Sequence, residues 1–274
     1  MKRFCIYTNR HKDKDLTVTK KITFILEQKG MQCEVRFPKE GIPEEVDCIL
    51  VLGGDGTMLQ AAREISGSRR IPLLGINMGN LGYLTEVEPE GITDAINQLL
   101  SGDYELESRM MLNGCIMRSD GSVTKGFALN DIVINKACSQ QVMGFHLYVN
   151  KKLLNKYLAD GMIVTTPTGS TAYNLSAGGP IVEPSAKLIV VTPICPHTMN
   201  QRSIILSPED EVVIEIPAGR EGQEQIAAVN FDGCTVEIRT GDEVRIVQSE
   251  RTTDFIKLSK AGFLDVLHKK LKEY

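Results

Sequence analysis

Gly53, Gly54, Asp55, Gly56 and Thr57 form a compact run after the apolar stretch Cys48–Leu52 and before a helical pattern expected to begin near Thr57 and to run from Met58 to Ile65. A strand, a glycine turn and a helix in that order put the turn at the carboxyl end of a parallel strand, where open α/β sheets receive ligands. Backbone N–H groups without side chains over them, and the positive end of the helix, suit a phosphate chain. Thr57 adds a candidate N-cap hydroxyl. The run is neither a Gly-x-x-x-x-Gly-Lys-Ser/Thr loop nor a Gly-x-Gly-x-x-Gly loop. A carboxylate among phosphate-binding glycines needs a reason, because Asp55 and a phosphate repel each other. Phosphoryl transfer to a hydroxyl supplies one: the acid takes the proton of the attacking alcohol, or holds the metal that neutralises the phosphates. The plainer alternative is that Asp-Gly only makes the turn.

Three further stretches crowd functional side chains together. Gly75, Asn77, Gly79, Gly82 and Tyr83 follow the strand-like Ile71–Ile76 and form a second glycine loop. Asn130 and Asp131 stand at the mouth of an apolar strand, where an Asp can accept from vicinal ribose hydroxyls and an Asn can both donate and accept; an Asn-Asp pair also simply makes a turn. Asp160-Gly161 precedes another strand, after which Thr168, Ser170, Thr171, Ala172, Tyr173 and Ser176 gather hydroxyls, small residues and one aromatic. Small residues let a flat base approach the backbone, hydroxyls orient it, and a tyrosine offers a stacking face.

The Gly-Gly-Asp-Gly-Thr run resembles the signature shared by NAD kinases, diacylglycerol and sphingosine kinases and, in shorter form, phosphofructokinases. Thr166-Pro-Thr-Gly-Ser-Thr-Ala-Tyr173, with Ala128-Leu-Asn-Asp-Ile-Val-Ile134 and the second glycine loop, resembles NAD kinases specifically, with Tyr83 in place of a usual Phe. The resemblance implies ATP and NAD as substrates, Mg²⁺ or another divalent cation, and a product phosphorylated on the 2′-hydroxyl of the adenosine ribose. By it, Asp55 lies near that hydroxyl, and Gly53, Gly54, Gly56 and Thr57 cradle the phosphates. Asn130 and Asp131 grip the adenosine, Asp131 being shorter than the family's common Glu. Thr171, Ala172, Tyr173 and Ser176 line the adenine side, and Asp160 and Thr168 face the nicotinamide half. Pro193–His197 resembles a segment that in oligomeric members approaches a neighbouring subunit's site; His197 fits a turn equally well. Asp232, in Asn230–Cys234, reads as a turn former. A homo-oligomer, dimer or tetramer, is expected, with ATP or polyphosphate as donor. The rival readings are a lipid or sphingoid-base kinase with the same glycine loop and a non-catalytic NAD-binding sensor. The first would need an apolar acceptor groove where this chain has small polar residues.

These residues need a scaffold, and the chain supplies two textures. Up to about residue 100, short apolar runs alternate with helical periodicity, which implies a parallel sheet in an α/β nucleotide-binding domain. From Met110 to about Ile256 short strands broken by Gly, Asn, Asp and Pro imply a mostly β, sandwich-like domain. Phe263, Leu264, Val266, Leu267 and Leu271 have helical spacing, and this last helix is expected to pack back on the first domain. The expected domains are therefore 1–100 with about 257–274, and a β-rich, NAD-binding 101–256.

The 274 residues carry 31 basic and 35 acidic side chains, a net charge of −4, with no basic stripe for nucleic acid. No apolar run reads as a signal peptide or membrane span, so a cytoplasmic protein without a membrane partner is expected. Seven cysteines, Cys5, Cys33, Cys48, Cys115, Cys138, Cys195 and Cys234, are scattered and unpaired in spacing, which implies free thiols.

Overall fold

The computed structural model describes residues 1–65, 70–79, 82–137, 142–197, 202–259 and 262–272. The chain divides into two compact units, residues 1–109 with 253–274, and residues 110–252.

The first unit is built on β1 (Arg3–Thr8), α1 (Thr17–Gln28), β2 (Gln32–Arg36), β3 (Cys48–Gly53), α2 (Asp55–Glu64), β4 (Leu73–Asn77) and α3 (Ile92–Ser101). The strands are parallel in the order β2-β1-β3-β4. Every residue of β3 is buried, as an uninterrupted apolar run requires of a central parallel strand. Alternate residues Phe4, Ile6, Leu50, Leu52, Leu74 and Ile76 form one cluster with Ile22 and Leu26 of α1 and Ile92, Ile96 and Leu99 of α3. Gly75, of opposite parity, faces the Met58 sulfur of α2, so α2 covers the other face. α1 is flanked by Leu16 (φ 54°) and Lys29 as its caps.

β5 (Glu105–Met117) leads into the second unit, followed by β6 (Val123–Ala128), β7 (Asp131–Lys136), β8 (Met143–Val149), β9 (Lys152–Ala159), β10 (Gly161–Thr165), α4 (Tyr173–Ser176), β11 (Ile189–Ile194), β12 (Ile204–Leu206), β13 (Val212–Glu215), β14 (Ile226–Phe231) and β15 (Cys234–Arg239). β16 (Glu243–Lys257) carries the chain back to the first unit, where Phe255 pairs with Leu73, and α5 (Phe263–Lys272) follows. Six antiparallel strands form the sheet β12-β11-β10-β7-β14-β15. Met162 and Val164 of β10 share a core with Phe145 and Leu147 of β8, Ile214 of β13 and Ile246 of β16, which is the sandwich arrangement of two stacked sheets. No helix of the described residues is long and apolar enough to cross a membrane.

Among the described cysteines, Cys5, Cys33, Cys48, Cys115, Cys195 and Cys234 are free thiols. Burial pushes the Cys5 thiol up to about 12 and raises Cys48 as well, so both stay protonated. Cys138 lies outside the described residues.

Candidate functional site

Not every glycine of the first loop is there for the same reason. A Cβ on Gly53 would collide with the Thr57 hydroxyl, so glycine is required for Thr57 to fold back beneath the turn. Gly54 has φ −110° and ψ −168°, which any residue adopts, and a Cβ on Gly54 or Gly56 would meet nothing within 4 Å. Neither packing nor backbone conformation asks for glycine at these two positions. Their bare backbone is open to a ligand, at a helix start whose first N–H groups lack intrahelical acceptors.

The helix begins earlier than expected. α2 starts at Asp55 with Gly54 as N-cap and no side-chain cap, so Thr57 does not cap it. Thr57 is buried in the first turn, and its N–H donates to the Gly54 carbonyl at 2.9 Å. An acid in the first turn suits the positive helix end, which favours the earlier start.

Asp55 also answers to the second loop. Its Oδ2 accepts the Tyr83 N–H and its Oδ1 the Leu84 N–H, both at 2.9 Å. A Cβ on Gly82 would collide with Oδ1, so Gly82 is what lets the carboxylate reach those donors. The Met78 N–H adds a bond to the Gly53 carbonyl at 3.1 Å. Gly75 is similarly constrained, because a Cβ there would come within 2.9 Å of the Leu84 carbonyl oxygen. Asn77 is 6% exposed; its Nδ2 donates to the Gly79 carbonyl at 2.9 Å, while its buried Oδ1 has no partner among the described residues. Asn80 and Leu81 of this loop lie outside them. Within the first unit, α5 packs on the aromatic of the loop, with the Phe263 and Tyr83 ring centroids 6.3 Å apart and Lys270 Nζ 4.5 Å from the Tyr83 centroid.

In the second unit, the N–H groups of Leu129, Asn130 and Asp131 converge on the carboxylate of Asp232, at 2.6, 3.2 and 3.1 Å. On the carbonyl side, the Thr165 hydroxyl and the Thr166 N–H donate to Asn130 O, each at 2.9 Å, and the Thr166 hydroxyl donates to Leu129 O at 2.6 Å. With its backbone occupied, Asn130 keeps a buried Oδ1 that has no partner among the described residues. A buried acceptor left unpaired is costly, and a ligand donor relieves it. Asp131 is 8% exposed; burial first, and the charge of Asp232 second, push its carboxyl up to about 7.

Thr171, Ala172, Tyr173 and Ser176 are brought together by one short 3₁₀ turn, Thr168–Thr171, running into α4. Tyr173 is 43% exposed, leaving a ring face available for stacking. Asn174, which no motif singles out, is the buried hub of this segment. Its Nδ2 donates to Ser170 O at 3.1 Å and Pro180 O at 3.0 Å, and its Oδ1 accepts the Thr192 hydroxyl at 2.7 Å.

Asp160 and Thr168 are not neighbours. Asp160 precedes β10 and Thr168 follows it, at opposite ends of a strand that spans ~16 Å. The Asp160 carboxylate pairs with Lys136 Nζ at 2.6 Å, and Thr168 is only 5% exposed, inside the turn. His197 is exposed, with its N–H on the Leu158 carbonyl at 2.7 Å; the rest of its segment, 198–201, lies outside the described residues.

Residues 5–104 match the ATP-NAD kinase N-terminal domain and residues 129–258 the ATP-NAD kinase C-terminal domain. The chain is 44% identical to the NAD kinase of Lachnospira eligens, covering 99% of this chain and 100% of that protein, and 43% identical to the NAD kinase of Agathobacter rectalis, covering 100% of both. Among solved structures it is similar to an NAD kinase from Archaeoglobus fulgidus in complex with ATP, with TM-score 0.80, 27% identity and 100% of both chains covered. A yeast NADH kinase complexed with NADH has the same fold, with TM-score 0.88 at 22% identity over 99% of this chain and 88% of that one. Two domain matches and identity sustained along the whole length leave one assignment: the chain belongs to the NAD kinase family.

Proposed function

We propose that this chain transfers the terminal phosphoryl group of ATP to the 2′-hydroxyl of the adenosine ribose of NAD, giving ADP and NADP. The observation that carries this reading is Asp55, a carboxylate at the start of α2 beside two glycines that the fold itself does not require. An alcohol is a poor nucleophile at neutral pH, and a carboxylate held within reach accepts its proton as the new P–O bond forms. The N–H groups of Tyr83 and Leu84 fix that carboxylate, and each oxygen retains a lone pair for the alcohol. The bare backbone at Gly54 and Gly56 and the N-terminus of α2 receive the phosphates. Positioning and charge stabilisation of this kind carry most of phosphoryl-transfer catalysis.

Asn130 and Asp131 hold the adenosine, and Thr171, Ala172, Tyr173 and Ser176 form the polar surface on which the base lies. Among the described residues no three His, Cys, Asp or Glu side chains are grouped to hold a metal. A nucleotide-bound Mg²⁺ fits such a protein, since it commonly takes one carboxylate plus phosphate oxygens and water, and Asp55 would be that carboxylate. When bound, the ion screens the charge of the triphosphate. A cytoplasmic location and a homo-oligomeric assembly belong to the same reading, on the strength of the family resemblance.

Incubation with ATP and NAD, followed for NADP, tests the proposal, with inorganic polyphosphate and NADH as alternative donor and acceptor. Phosphorylation of a sphingoid base in place of the dinucleotide would move the chain to the lipid kinases. Tight NAD binding without any product would make it a sensor.

A further inference from the structure

We propose that Asp232 is a positioning residue for dinucleotide binding, presenting Asn130 and Asp131 to the ligand by gathering three consecutive backbone N–H groups on its carboxylate. The proposal rests on the reading of this chain as an NAD-binding enzyme. Successive N–H groups that converge in this way form a cradle for an anion. Here the chain fills the cradle with its own side chain, from a turn about a hundred residues further along.

The turn itself does not need that carboxylate. Asp232 (φ 46°) and Gly233 (φ 93°) are the two residues joining β14 to β15, the conformation for which Asn-Gly serves as well as Asp-Gly. The Gly233 N–H is held independently by Asn230 Oδ1 at 2.6 Å. What the Asp232 carboxylate does instead is close the N–H side of a segment whose carbonyls are already taken by Thr165 and Thr166. Clamped on both sides, residues 129–131 offer a ligand the Asn130 amide, whose Oδ1 has no partner among the described residues, and the Asp131 carboxyl.

The arrangement has an electrostatic signature. Asp131 pairs with Thr165 on β10, and its neighbour Ile132 pairs with Phe231 on β14, immediately before Asp232. Of these groups Asp232 is the charged one, and it adds to the effect of burial in keeping Asp131 protonated up to about pH 7. Ribose hydroxyls that donate to a carboxylate favour its ionised form. NAD affinity therefore rises as pH increases through the titration of Asp131, and removing the charge of Asp232 moves that rise to lower pH.

Asp232→Asn and Asp232→Gly both preserve the turn, and NAD and ATP binding to the full-length protein would be measured by calorimetry across neutral pH. The expected result is a dissociation constant for NAD raised about tenfold or more in both variants, with ATP affinity within about twofold of wild type as the control for folding. In Asp232→Asn the pH-dependent rise in NAD affinity shifts to lower pH, which a merely structural role for the side chain would not produce. Wild-type NAD affinity in both variants, or an unmoved pH profile, overturns the proposal. A wild-type protein that binds no NAD overturns the proposed function instead, so the two failures are separable.

Discussion

Asp55 and Gly82 compete for one volume: the carboxylate oxygen that receives the Leu84 N–H stands where a side chain at position 82 would begin. The Asp55 carboxylate and the second glycine loop are therefore set by a single steric condition. Gly82→Ala forces the carboxylate or the loop to move, breaking one or both N–H bonds. The expected outcome is a loss of about 1–3 kcal/mol in stability, as for a buried polar group left unpaired. A fall in kcat of about tenfold or more accompanies it if Asp55 is the proposed proton acceptor, because that carboxylate is displaced. Thermal melting and steady-state kinetics on the same sample decide the matter, and unchanged values for both would uncouple the pair.

Asp55→Asn separates the charge from the shape. The carboxamide still accepts one N–H, but turns its NH₂ toward the other, and it takes no proton from an alcohol. Turnover should drop roughly 10²–10⁴-fold, the usual range for a general base, with NAD affinity largely retained. Wild-type turnover would remove Asp55 from the chemistry.

Gly53 and Gly54 are adjacent but answer to different demands. Gly53→Ala drives a methyl into Thr57 and should destabilise by about 1–3 kcal/mol, as overpacking does. Gly54→Ala meets no neighbour and adopts its backbone angles without strain, so stability should stay within about 0.5 kcal/mol. The same methyl stands over the open backbone, and the KM for ATP should rise severalfold. Unaltered ATP kinetics in Gly54→Ala would show that the phosphates do not approach this turn.

Asn174→Ala leaves the carbonyls of Ser170 and Pro180 without the amide donor, while the Thr192 hydroxyl keeps Ser203 at 2.7 Å. With about 1–3 kcal/mol for each buried group left unpaired, the variant should lose at least 2 kcal/mol by chemical denaturation, well beyond a surface substitution. A loss below about 0.5 kcal/mol, the ordinary range for a surface substitution, would mean that water replaces the amide.

The parts of this architecture that the sequence made legible are those written in local pattern. β3 is a continuous apolar run, and α1 and α3 have helical spacing, so each announces itself within its own length. β14 does not: Ala227 and Ala228 have weak strand preference, and the strand exists because β7 and β15 pair with it on either side. The start of β5 was hidden in the polar sequence Glu105–Arg109, where Arg109 is buried against Glu107 at 2.9 Å. The site divides in the same way. Asp55, Asn130 and the hydroxyl-rich turn are recognisable by type and order. The bonds that set them, Asp55 to Tyr83 and Asp232 to Asn130, join residues 28 and 102 positions apart, and no local pattern encodes a partner at that distance.

Asp131 gives stability an unusual dependence on pH. Its carboxyl is raised from the ordinary 3.8 to about 7 in the folded protein, by burial and then by Asp232. Between these values the folded state holds a proton that the unfolded chain has released, so stability declines as pH rises from about 4 to about 7 and is level above that window. Below about pH 4 the carboxyl is neutral in both states and contributes no difference. Asp131→Asn removes the titration while keeping the size of the side chain. The variant should match wild type in acid and become the more stable of the two toward neutral pH, by an amount bounded at about 4 kcal/mol. Denaturant titrations of both proteins across this range supply the measurement. A constant difference between them at every pH would mean that Asp131 is already ionised in the folded protein, and that burial beside Asp232 does not hold its proton.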